Sequence, residues 1–202
     1  MAEQVGPAGS ADPARKGMAL PLTVFAAGAA VAVLVGLFGR VHDPTLDGTT
    51  TLGFHTVIQM KVVVTSVVGV LVIGQLLGAL VLYGKVPVAA PPWLGRAHRA
   101  AGATTLVLAA FVAYHCLWAL GLEYGHLADG EKVGARTVVH GVLGCSVVGA
   151  VVVKVAAVRA KRAPGWLLPV AGGLLFTLFV AVILTSAVWY YVSYGLPDSD
   201  SY

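Results

Sequence analysis

The chain has 202 residues, 58% of them hydrophobic and only 11% charged, with a formal net charge of +4 and a mean hydropathy of +0.86. Soluble domains run near half apolar and about a quarter charged, so this composition excludes an ordinary soluble globule and points to an all-α integral membrane bundle. The basic residues are spread over short loops with no basic groove, which argues against nucleic acid as a partner and for the lipid bilayer.

Residues 1–16 mix Ala, Gly, Pro and scattered charges without an apolar pattern, and read as a disordered cytoplasmic tail. The run 17–39 is uncharged for 23 residues, too long for the apolar core of a cleavable signal, and stays in the membrane as helix 1. The loop after it, G-R-V-H-D-P-T-L-D-G-T-T-T-L-G, carries turn residues, and His42 there is expected to face water. Helix 2 starts ahead of the uncharged run 62–84, because F-H-T-V-I-Q-M-K enters it without a breaker. That start places His55 and Gln59 one turn apart on one face, with Lys61 below them near the boundary. Gly69, Gly74 and Gly78 with Ser66 form a small-residue surface for close helix approach, and Gln75 is expected to hydrogen-bond another helix.

A proline-rich connector with Trp93 at headgroup level leads to helix 3, over 100–122. Helix 4 covers 137–153 and continues past Lys154, whose alkyl stem reaches back to the interface. The short loop between them predicts that helices 3 and 4 are antiparallel neighbours. Helix 5 falls at 166–192 and ends in an aromatic belt of Trp189, Tyr190, Tyr191 and Tyr194. The five crossings occupy residues 17–194, and 195–202 form a short external tail.

Cytoplasmic loops carry the excess of Lys and Arg. One side of the helices collects Arg15, Lys16, Lys85, Arg96, Arg99, Lys154, Arg159, Lys161 and Arg162 against Glu3 and Asp12. The other holds Arg40, Lys61, Lys132 and Arg136 against seven acidic residues. The amino terminus is therefore expected inside and the carboxyl terminus outside a cell membrane.

Ionisable residues within apolar helices are costly and mark candidate sites. By helical rise, His115 lies about 12 Å inside Glu123 and His140 about 6 Å inside Arg136, which sets them at similar depth. His140 shares a face with Gly144, where no side chain obstructs a flat ligand, and Thr104, Leu108, Phe111 and His115 share a face of helix 3. A haem between such faces would find imidazole ligands, with Lys61 and Arg136 placed for its propionates. Two ligand pairs are open: His115 with His140, or His55 with His140, the latter requiring helix 2 to be tilted or displaced inward. His98, beside Arg99, reads as interfacial. Cys116 and Cys145 read as inert buried thiols, with a disulfide or a copper or zinc site shared with the histidines as the alternatives. No nucleotide loop, hydrolase elbow or metalloprotease motif is present.

The H-R-x-x-G start of helix 3, its Y-H-C-L-W finish, the H-G-x-x-G-C opening of helix 4 with Lys154 and Arg159, and L-F-x-x-F-V-x-V-x-L-T-S-A-V-W resemble an uncharacterised family of bacterial membrane proteins. The resemblance covers residues 55–191. That family is similar in turn to the membrane domains of ferric reductases and b-type cytochromes, which implies haem b and electron transfer with a quinone or a redox partner protein. The 17-residue spacing of His98 and His115, and Lys154 where a further ligand would fall, depart from that pattern and imply one haem rather than two. A non-catalytic accessory or structural subunit of a membrane complex, with the histidines as interhelical hydrogen-bonders, is the alternative reading. A small copper- or zinc-handling protein is a third.

Overall fold

Each of the five apolar stretches becomes a helix long enough to cross a membrane: Met18–Val41, Val57–Leu82, Leu94–Leu120, Ala135–Arg159 and Leu167–Tyr194. The computed structural model describes residues 13–122 and 132–196. Most of the expected amino-terminal tail, the loop 123–131 and the last six residues lie outside the described residues. Residues 13–16, assigned to that tail from sequence, belong to helix α1, Pro13–Val41. The others are α2, Val57–Leu82; α3, Leu94–His115; α4, Ala135–Arg159; α5, Leu167–Ile183; and α6, Trp189–Tyr194. Two π turns interrupt the regular helices. Cys116–Leu120 prolongs α3, and Leu184–Val188 joins α5 to α6 in one continuous rod.

Large apolar side chains lie exposed on every rod, Leu22, Val70, Val107, Val158 and Val192 among them. A soluble protein does not leave apolar surface uncovered on this scale. The exposed faces suit a lipid bilayer, as the composition implied.

The start of α2 is fixed by a variant of the capping box, in which the Gln59 side chain reaches the residue before the cap. The Thr56 hydroxyl accepts from the Gln59 N–H at 3.1 Å, and Gln59 Oε1 accepts from the His55 N–H at 3.2 Å. The box ends the helix at Thr56, so His55 lies just outside it, and the expected sharing of a helical face with Gln59 is not found.

Packing runs α1 on α4, α4 on α5, α5 on α2 and α2 on α3, and the first π turn returns against α1. Helices α3 and α4, expected to be neighbours, make no substantial packing contact. The reason lies in which faces they spend elsewhere. Gly149 of α4 meets Gly28 of α1 so closely that a Cβ at Gly28 would stand 2.7 Å from the Gly149 carbonyl oxygen. Val153 and Ala157 of α4 join Val24, Leu167 and Ala171 in a buried cluster with α1 and α5. On the other side, Gln75 of α2 donates to the His98 carbonyl of α3 at 3.0 Å, as its polar side chain in an apolar helix required. Of the glycines on α2 singled out from sequence, Gly78 faces His98 and Gly69 faces Ile183, while Gly74 has no close neighbour. The closest helix approach is thus at the α1–α4 crossing, not on α2.

A candidate ligand cavity between the helices

With α3 and α4 held apart, the space between them remains as a cavity of about 560 Å³. Small-molecule sites commonly measure roughly 300–1,000 Å³. Its walls come from α2 (Lys61, Thr65, Val68), α3 (Leu106, Ala109, Ala113), the first π turn (Cys116, Leu117, Leu120), α4 (Arg136, His140, Gly144, Cys145) and the fifth rod (Val182, Ser186, Trp189, Tyr190). The lining is largely apolar, and its cationic side chains are Lys61 and Arg136. Both π turns contribute to it. Such π turns within α-helices are frequent at functional sites.

His140, Lys61 and Arg136, three of the five site residues expected from sequence, line this one cavity. His140 Nδ1 lies 3.0 Å from Thr185 Oγ1. Arg136 donates through Nη1 to the Thr185 carbonyl at 2.8 Å, and its guanidinium carbon stands 3.5 Å from the centre of the Trp189 ring. A cation over an aromatic face gains about 0.5–2 kcal/mol. Among the described residues nothing lies within 4 Å of where a Gly144 Cβ would be, so the wall beside His140 is open.

His115 and His55 are placed elsewhere. His115, 1% exposed, is not part of the cavity lining. Its Nε2 accepts from the Thr50 N–H at 3.2 Å, so its proton sits on Nδ1 and is donated to the Phe111 carbonyl at 2.8 Å. Both ring nitrogens are therefore committed. The Phe111 ring lies tilted against it, centroids 4.4 Å apart. His55 is exposed ahead of α2 and does not reach the cavity. His98, at the opposite end, buries its Nδ1 with no hydrogen-bond partner among the described residues.

What engages His115 instead is the segment 42–53, which straps across the end of α3. His42, expected to face water, instead stacks on Trp118 at 4.3 Å, and its Nε2 donates to the Trp118 carbonyl at 3.2 Å. Trp118 donates its indole N–H to the Asp47 carbonyl at 2.8 Å, and Tyr114 donates to the Gly48 carbonyl at 3.3 Å. The sequence signal for the strap was the run of aromatic residues at helical spacing, Tyr114 and Trp118. Thr185 was also missed, although a hydroxyl within an apolar helix is a signal of the same kind.

Cys116 and Cys145 are free thiols. Among the described residues no three His, Cys, Asp or Glu side chains gather as a metal site, so the copper or zinc reading lacks a ligand set.

The fold and site define a polytopic α-helical membrane protein with an internal, cation-edged cavity. The chain belongs to the Family of unknown function (DUF6529), whose profile matches residues 19–198. Membership bears out the resemblance to an uncharacterised family. No curated protein and no solved structure matches the chain, and similarity to ferric reductases or b-type cytochromes is not found.

Proposed function

We propose that the protein is a multi-pass cell-membrane component that holds one b-type haem in the cavity and takes part in electron transfer with a quinone or a redox partner protein. In this reading the amino terminus lies inside and the carboxyl terminus outside. The observation that carries it is His140, whose ring lines the cavity with Nδ1 held 3.0 Å from Thr185 Oγ1. A neutral imidazole nitrogen is the donor that haem iron takes. Haem bound there would supply one-electron chemistry at a potential set by its ligand, burial and hydrogen bonds.

The chain's residues do the remainder. Gly144 leaves room beside the imidazole, Lys61 and Arg136 offer cations to two carboxylates, and the apolar side chains of α2 and α3 exclude water. Because His115 spends both nitrogens on the strap and on its own helix, the reading narrows from a histidine pair to His140 as the one histidine ligand.

The test is an absorbance spectrum of detergent-purified protein, oxidised and then reduced with dithionite. Wild type is expected to show Soret and α bands. His140→Ala loses them, His115→Ala keeps them, and Lys61→Ala keeps them with an altered midpoint potential. Folded wild-type protein, supplied with haem and still lacking a Soret band, ends this reading.

One observation favours the accessory-subunit alternative. His42 and His115 both serve as structural hydrogen-bonders between the strap and α3, the role that alternative gives to histidine. It would leave the purified protein colourless and make His140→Ala a matter of stability alone.

A further inference from the structure

The hydroxyl of Thr185 has one proton and three acceptors near it. Oγ1 lies 2.9 Å from the Ala181 carbonyl oxygen, 3.1 Å from that of Val182 and 3.0 Å from His140 Nδ1. A helical threonine gives its proton back to the carbonyl one turn earlier. Were that proton aimed at His140 instead, the hydroxyl oxygen would face two carbonyl oxygens with no hydrogen between them. The proton therefore goes to the backbone, and Oγ1 accepts from His140 Nδ1–H.

Thr185 itself is held on both sides. It lies in the π turn Leu184–Val188, and Arg136 takes its carbonyl at 2.8 Å. Arg136 and His140 are one turn apart on α4, so the two residues of α4 grip the oxygen atoms of one residue in the facing rod.

We infer that Thr185 is the positioning residue of the cavity. By accepting from Nδ1–H it fixes His140 in the tautomer whose Nε2 is a lone-pair donor, and so determines which ligands the cavity takes. At that nitrogen the cavity receives a Lewis-acidic metal centre or an O–H group, and it repels a carbonyl oxygen. Lys61 and Arg136 add the requirement for anionic or acceptor groups on the same molecule. The inference deepens the haem reading where it concerns iron, but the tautomer is a property of the chain itself.

The experiment uses full-length protein in nanodiscs, with ¹⁵N-labelled histidine and no added ligand. Solid-state NMR of wild type is expected to show His140 protonated on Nδ1 and bare on Nε2, its signals assigned by their loss in His140→Ala. Thr185→Val, which keeps the shape and removes the acceptor, is expected to release that tautomer, and Thr185→Ser to restore it. A hydrogen bond to the far nitrogen raises a ligand's basicity, and its loss commonly weakens binding by about 10- to 100-fold. Titrated with haem, Thr185→Val is therefore expected to bind about 10- to 100-fold more weakly and, once loaded, to show a raised midpoint potential, with Thr185→Ser close to wild type. His140 protonated on Nε2 in the wild-type protein, or a Thr185→Val protein with unchanged tautomer and unchanged affinity, would overturn the assignment. A wild type that binds no haem removes the haem reading alone, since the NMR arm still decides the role of Thr185.

Discussion

Gly28→Ala tests the crossing on which the cavity's geometry depends. The added Cβ would stand 2.5 Å from Val153 Cγ2 and 2.7 Å from the Gly149 carbonyl oxygen. The valine methyl can turn aside, but the carbonyl belongs to the α4 backbone. Since ordinary contact begins near 3.4 Å, α1 and α4 must part by about 0.7 Å along that line. Overpacking of this kind costs about 1–3 kcal/mol. Against it stands the gain of about 0.5–1 kcal/mol from replacing a helical glycine by alanine. Gly144→Ala is the matched control, because it earns the same helical gain with nothing among the described residues within 4 Å of the new methyl. The two variants are expected to differ by about 2 kcal/mol, or some 30-fold in the unfolding equilibrium. A denaturing-detergent titration followed by circular dichroism reads the difference, with Gly144→Ala at or above wild type and Gly28→Ala below it. Equal midpoints for the two alanine variants would refute the claim that a backbone-to-backbone contact sets the α1–α4 distance.

Two further outcomes are expected. A reporter fused after Tyr202 should be active only outside the cytoplasm, given the nine Lys and Arg residues gathered at the other side; cytoplasmic activity would reverse the orientation. Mass spectrometry of unreduced protein should find Cys116 and Cys145 as two free thiols, and a bridged peptide pair would contradict the structure.

The five crossings were legible because an uncharged run of membrane length has few other uses in a chain this apolar. Gln75 was legible too, since an amide within such a helix must find a partner. Other features were not. Spacing groups Phe111 with His115 on one face of α3, but it does not say what that face meets; the strap 42–53 takes it, through Thr50. A short loop predicted that α3 and α4 pack together. The strong attachments of each lie elsewhere, at Gly28 with Gly149 and at Gln75 with His98, and no local pattern announces such a choice of partner. Lys61, Arg136 and His140 were recognisable as out of place in apolar surroundings, and they do line one cavity. Thr185 escaped notice because a lone hydroxyl in a helix ordinarily satisfies itself.

The order of packing divides the bundle into two leaves. One is α4 with α1 and α5 on either side of it, stiffened where Gly28 and Gly149 bring two backbones together. The other is α2 with α3. The leaves share a spine where α2 lies along the fifth rod, and a latch where the strap and the first π turn bind the end of α3 to α1. The leaves also meet in a buried cluster in which Val68 and Val72 of α2 pack with Val147 of α4 and Phe179 of α5, so the cavity is closed along the spine by packed side chains. His115 sits in the latch and His140 in the stiff leaf, so two histidines expected at one depth serve separate parts of the bundle.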